Sequence, residues 1–188
     1  MSDQNKEKKR KTLETERLIL RPCTFDDAEA LYKYAKNPNV GPAAGWAPHK
    51  DVEESRRIIE TIFMPADARA IILKSTGEMI GTISLEEDRH RPESNSREMG
   101  YSLAEEHWGK GIMTEAARRI LAYAFTDLKL SQVAICTSPV NKRSQGVIKK
   151  CGFVYEGTIR RAYKIWDGSL RDSRCYSMLK DEWLAGCK

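Results

Sequence analysis

The segment Glu105–Leu121, E-E-H-W-G-K-G-I-M-T-E-A-A-R-R-I-L, decides the fold. The apolar run Met99–Ala104 leads into it, a Gly109-Lys110-Gly111 turn follows, and a strongly helical stretch opens directly from the turn. Two glycines let the backbone curl with unhindered N–H groups. A helix beginning there points its unpaired amides, and the positive end of its dipole, at whatever sits in the curl. Such a curl receives phosphate. A lone G-x-G is also a common plain turn, and two phosphate motifs are ruled out by spelling. There is no G-x-x-x-x-G-K-[ST] loop. Thr114 occupies the third glycine position of G-x-G-x-x-G, and no clear acidic residue follows a second strand.

Upstream, Arg17–Arg21 is a short apolar run stopped by Pro22, a plausible edge strand. Thr24 is placed as an N-cap for a helix with Ala28, Leu31, Tyr32 and Ala35 on one face. Asn37–His49 is a loop with three prolines and two glycines. Val52–Met64 reads as a second helix with Ile58, Ile59, Ile62 and Phe63 inward. Ala70–Lys74 and Met79–Leu85 flank the turn Ser75–Glu78 as a hairpin. Asp88–Arg97 is a polar loop before a strand at Glu98–Ala104. Downstream, a helix over Gly111–Asp127 carries Ile112, Ala116, Ile120, Leu121, Ala124 and Phe125 at helical spacing. A strand at Val133–Thr137, a helix at Lys142–Lys150 closed by Gly152, and strands at Val154–Ile165 and Arg174–Leu179 complete the chain, the last two joined through Asp167-Gly168. The order β-α-α-β-β-β-α-β-α-β-β indicates a mixed α/β or α+β sheet covered by helices.

At 188 residues the chain is long enough for one domain with a proper core. No apolar stretch is long enough to cross a bilayer, and the N-terminus lacks a signal-peptide apolar region. Five cysteines without a C-x-x-C pair read as reduced thiols of a cytoplasmic protein, and no cluster along the chain has metal-ligand spacing, so no metal is expected. Of the net charge of +5, three units lie in the first twelve residues, read as a disordered polar, basic tail ahead of a single domain over 13–185. The remaining charge is mixed, a solvated surface more than a nucleic-acid stripe.

The stretch Trp108–Ala116, W-G-K-G-I-M-T-E-A, resembles the acyl-CoA-binding motif of the GNAT N-acetyltransferases, in the branch of ribosomal-protein N-terminal acetyltransferases of RimJ/RimL type. Further segments match in order: Thr15–Pro22, Gly81–Leu85, Arg97–Leu103, Asn141–Phe153, Tyr155–Gly157, Asp167–Asp172, and Tyr176 before Glu182-Trp183. The resemblance implies a GNAT-like α+β fold with a mixed, mostly antiparallel twisted sheet of six to seven strands and about four helices. It implies that the cofactor, the co-substrate acetyl-CoA, is held by the pyrophosphate-binding turn through Trp108, Gly109, Lys110, Gly111, Ile112, Met113 and Thr114. Trp108 and Met113 depart from the usual pattern, but the contacts are mainly backbone. Leu103, Ala104 and Glu105 would pair with the pantetheine arm where the strand splays from its neighbour. Asn141 would bond pantetheine, cap the next helix, or both.

The implied chemistry is direct attack of an amine on the thioester, which needs a base for the amine proton and a donor for the departing thiolate. An N–H on the strand near Leu103 would hold the oxyanion. The expected base is Glu98, with Glu86 and Glu87 next. Ile148 stands where many relatives keep an acidic tyrosine, so Ser144 is the expected relay, beside Tyr101, Tyr163 and Tyr176 as alternatives. The loops 37–49, 88–97 and 163–174 are the expected acceptor walls, and their mixed charge favours a peptide N-terminal α-amine over a polyamine or aminoglycoside. A small-molecule N-acetyltransferase and a non-catalytic acyl-CoA sensor stay open. The oligomer is expected to be a monomer or homodimer.

Overall fold

The computed structural model describes residues 11–66 and 68–186. Residues 1–10 of the expected tail, and Cys187, lie outside them. Among the described residues, eight strands form one sheet: β1 (Leu13–Glu14), β2 (Leu18–Pro22), β3 (Arg69–Leu73), β4 (Met79–Glu87), β5 (Ser96–Leu103), β6 (Gln132–Thr137), β7 (Val154–Lys164) and β8 (Leu170–Leu179). Their spatial order is β1-β2-β3-β4-β5-β6-β8-β7, and every neighbouring pair is antiparallel except β5–β6. The α-helices among the described residues are six: α1 (Ala28–Ala35), α2 (Gly41–Ala44), α3 (Val52–Ile58), α4 (Ile112–Thr126), α5 (Lys142–Cys151) and α6 (Lys180–Gly186).

The α+β class is as expected, but both element counts exceed the expectation of six to seven strands and about four helices. The additions are β1, with two residues too short for periodicity to reveal. Also added are α2, a single G-P-A-A turn inside the proline-rich loop, and α6, which buries no residue. The second helix also departs from its expected form. It is α-helical only to Ile58, then widens into a π-helical turn over Ile59–Phe63. The extra residue per turn rotates the apolar face: Ile59 is fully buried, whereas Ile62 is exposed.

Both faces of the sheet are covered. On one, Ala116, Ala117, Ile120, Leu121 and Ala124 of α4 pack on Leu18, Leu20, Ile71, Ile83, Met99 and Val133. On the other, Ala28, Leu31 and Ala35 of α1 pack with Ile59 on Ala70, Ile72 and Met79. Of these, Ala28, Leu31, Ala35, Ile59, Ala116, Ile120, Leu121 and Ala124 lie inward as the helical spacing in the sequence places them.

One feature of the register positions the site. The parallel pair β5–β6 is joined only through Ser96↔Gln132, Arg97↔Val133 and Glu98↔Ala134. Beyond Glu98, β5 continues beside β4 to Leu103, while β6 follows β8 to Thr137. The two central strands therefore diverge, opening a V with unpaired backbone on its inner edges.

Candidate active site

The glycine turn sits at the mouth of the V. Gly109 (φ +74°) and Gly111 (φ +76°) both adopt the left-handed conformation that a side chain disfavours. Gly111 is the N-cap of α4, and the first intrahelical bond there runs from the Glu115 N–H to the Gly111 carbonyl. The amides of Ile112, Met113 and Thr114 thus precede any helical partner and point outward. The turn is clamped from the residue just before β2: Arg17 donates to the Lys110 carbonyl at 3.1 Å and pairs with Glu115 at 2.6 Å, and the Arg17 amide bonds the same carboxylate.

A cavity of about 320 Å³ runs from this turn into the V. Leu103, Trp108, Gly109, Gly111, Ile112, Met113, Thr114, Asn141 and Ser144 border it, so most of the residues expected to hold acetyl-CoA are brought together. Three lie elsewhere. The Ala104 N–H is engaged by the Ile80 carbonyl at 2.8 Å, which continues the β4 ladder past Leu103. Glu105 accepts from Asn37 at 2.7 Å and Asn39 at 3.0 Å; these bonds hold its carboxyl below the usual range and fasten the loop before α2. Lys110 contributes its carbonyl to the Arg17 clamp and does not border the cavity.

The cavity also has cationic neighbours that the sequence reading did not single out. Lys142, Arg143 and Lys150 of α5 border it, with the Arg143 guanidinium 3.9 Å over the Trp108 ring. The indole N–H of Trp108 donates to the Leu103 carbonyl at 2.8 Å, which fixes the ring against the strand end. Unpaired helix-start amides with a rim of three cations suit a polyphosphate. The run N-K-R at the start of α5 was the available signal.

Asn141 caps α5: its Oδ1 accepts the Ser144 N–H at 3.1 Å, and its Nδ2 donates to the Ala43 carbonyl at 3.2 Å. One amide hydrogen remains for a ligand. The Ser144 hydroxyl shares a hydrogen bond of 3.0 Å with the Tyr101 hydroxyl. Burial pushes the Tyr101 phenol well up, so it keeps its proton at neutral pH.

A second cavity, about 380 Å³, meets the first at Ala43, Ala44, Tyr101, Ser102, Asn141 and Ser144. Leu31, Trp46, Ile58, Ile62 and Phe63 form its apolar side, and Tyr163 of the β7–β8 hairpin borders it. All three expected acceptor loops therefore contribute: Trp46 and His49 from the first, Arg89 from the second, Tyr163 from the third. Glu98 borders this cavity with its carboxylate buried and bound to Arg89 at 2.7 Å. Opposite it in the β4–β5 register stands Glu86, which accepts from Ser84 at 2.8 Å. His49 bonds Ser55 through Nδ1, and burial lowers its pKa, so the imidazole is neutral at pH 7.

Two thiols and an imidazole form a group that linear spacing could not show. Cys136 and Cys175 face each other across β6–β8, with His90 beside them. Each comes from a different segment.

Comparison with known proteins agrees with this arrangement. The family described as acetyltransferase (GNAT) domain matches residues 17–154. The N-acetyltransferase p20 of Bacillus licheniformis, itself uncharacterized, is 34% identical over 177 residues, covering 92% of this chain and 98% of its own. YdaF of Bacillus subtilis, whose name assigns it provisionally to ribosomal N-acetylation, is 40% identical over 109 residues, 57% of each chain. A GNAT-family acetyltransferase structure from Bacillus anthracis superposes with a TM-score of 0.82 at 24% identity, covering 92% of this chain and all of that one, a likeness of fold. With its glycine turn, its diverging central strands and these relatives, the chain belongs to the GNAT acetyltransferase family and is an acetyl-CoA-dependent N-acetyltransferase.

Proposed function

We propose that the acceptor is the α-amine of a peptide or protein N-terminus. The observation that carries this reading is the charge balance of the second cavity. Two carboxylates border it, Glu86 and Glu98, but Glu98 is already paired with Arg89. That leaves one carboxylate for one ammonium, beside a wall of apolar side chains suited to the first residues of a chain. A polyamine or aminoglycoside carries several positive charges, and each would need a partner on desolvation. The provisional ribosomal assignment of YdaF points the same way.

In this reading the donor's pyrophosphate rests on the amides at the start of α4, and its thioester lies in the V near Tyr101 and Ser144. The acetyl group forms a C–N bond as the C–S bond breaks. The amine proton passes to the carboxylate pair on β4 and β5, where Arg89 holds the Glu98 carboxylate in position. The Tyr101–Ser144 pair donates a hydrogen bond to the sulfur as charge gathers there. An N–H on the unpaired edge of β5 holds the carbonyl oxygen.

Release of CoA thiol, followed with acetyl-CoA against Ser- and Ala-starting peptides, spermidine and an aminoglycoside, tests both parts. Turnover with peptides and little with the polycations is expected; faster turnover of a polycation overturns the acceptor assignment. Tight acetyl-CoA binding without turnover on any amine would instead favour a sensor. Glu98→Gln should lower turnover and move its pH dependence upward with acetyl-CoA affinity retained. An unchanged profile would transfer the base role to Glu86.

A further inference from the structure

The group formed by His90, Cys136 and Cys175 takes no part in acetyl transfer as derived above. Cys136 and Cys175 are direct cross-strand partners, and side chains so placed share one face of the sheet. Their sulfurs lie 3.4 Å apart. His90, in the loop after β4, places Nε2 3.9 Å from the Cys175 sulfur, and all three candidate donor atoms fall within 4.8 Å of one another. In a tetrahedral site with metal–sulfur bonds of about 2.3 Å, two sulfurs lie about 3.7 Å apart, and a sulfur and an imidazole nitrogen about 3.5 Å apart. The observed separations of 3.4 and 3.9 Å are within a few tenths of an ångström of those values. His90 is exposed on a loop and free to close the remaining gap.

The donor set selects the ion. Two thiolates and one imidazole favour zinc and its thiophilic congeners over magnesium or calcium, which require oxygen ligands. Three protein donors leave a fourth position open. Cys136 borders the acceptor cavity, so an ion bound to it sits against that cavity. The electrostatics have two sides. Burial first, and then the charge of Glu98, disfavour a thiolate at Cys136, whereas a bound cation would offset both. Arg89 opposes a cation, but its charge is matched by Glu98.

We propose that His90, Cys136 and Cys175 bind one thiophilic divalent cation of the zinc class, and that its open coordination position faces the acceptor cavity, so that occupation slows acetyl transfer. Each thiol gives its proton to solvent as its metal–sulfur bond forms, two protons for each ion.

Cobalt(II) is the probe. It is titrated into the full-length protein kept reduced with a phosphine, and read by thiolate-to-cobalt charge-transfer absorption and by the visible bands of tetrahedral cobalt. One ion per chain is expected, displaced by zinc, with release of CoA thiol falling as the bands saturate. Cys136→Ser and Cys175→Ser, near in size to the native residues, should each lower affinity at least about tenfold, as should His90→Gln on its exposed loop. Absence of the charge-transfer band, or a band unchanged in both serine variants, overturns the site. Saturated bands with undiminished turnover overturn its placement against the acceptor cavity. Neither outcome depends on which amine is the acceptor, provided one that turns over is used.

Discussion

Gly111 is a residue whose identity follows from backbone angle alone. At φ +76° a side chain is strained, yet a Cβ there would meet only the tip of Arg17 at 3.6 Å, so space is not the obstacle. Gly111→Ala should therefore fold, at a conformational cost of about 1–2 kcal/mol. The local relaxation would turn the first amides of α4 away from the phosphates, and affinity for acetyl-CoA should drop roughly tenfold. Equilibrium binding measures this, and unchanged affinity would remove the turn from the donor site. This glycine was legible in the sequence because the G-x-G pair, a common plain turn by itself, lies in the stretch Trp108–Ala116 that resembles the acyl-CoA-binding motif. The side-chain bonds of Glu105 were illegible for the opposite reason. Its partners Asn37 and Asn39 are more than sixty positions away, and nothing local announces them. Glu98 was legible as a cavity residue, but its pairing with Arg89 depends on how the 88–95 loop folds back.

Among elements, β2 and α4 illustrate how a distant segment stiffens a binding turn. Arg17 and Glu115 are tied by an ion pair, by a bond from Arg17 to the turn, and by a bond from the Arg17 amide, just before β2, to the Glu115 carboxylate. Burial pushes the Glu115 carboxyl up, but hydrogen bonds from Thr15 and from Arg17 outweigh it and hold the pKa below normal. The pair is partly exposed, so its direct contribution to stability is modest, about 0.2–1 kcal/mol. Its larger effect is positional. Arg17→Ala should leave thermal unfolding within a few degrees of the native protein while weakening acetyl-CoA binding severalfold, as paired melting and binding measurements would show. A loss of stability without a loss of affinity would make the clamp purely structural. The long elements were readable because their apolar periods are unbroken, as in α4. A two-residue strand, a one-turn helix and a π-helical widening carry no such period, and each was missed. The last of these matters most, since it turns Ile62 toward the acceptor cavity.

For the molecule as a whole, acid sensitivity follows from groups that the fold keeps in one protonation state. His49 has its pKa lowered by burial, so the unfolded chain binds a proton more readily there, and its contribution is lost as pH falls below about 6.5. Asp88 and Glu115 add to this at lower pH. For Asp88, burial raises the pKa, but bonds from Ser96 and the His90 amide and the charge of Arg91 lower it further. Both carboxylates stabilise the fold above their unfolded values and lose that contribution as pH falls through the folded ones, beginning near pH 4. Chemical denaturation across pH should show a shallow decline from about pH 6.5 and a steeper one below about pH 4. A flat profile to pH 3 would contradict these assignments. The divergence of β5 and β6 has a separate meaning at this scale. Only three register pairs join the five strands on one side to the three on the other. On the proposed placement of the donor, its arm lying in the V would act as a ninth, borrowed strand, bridging the edges that β5 and β6 leave unpaired beyond Glu98 and Ala134.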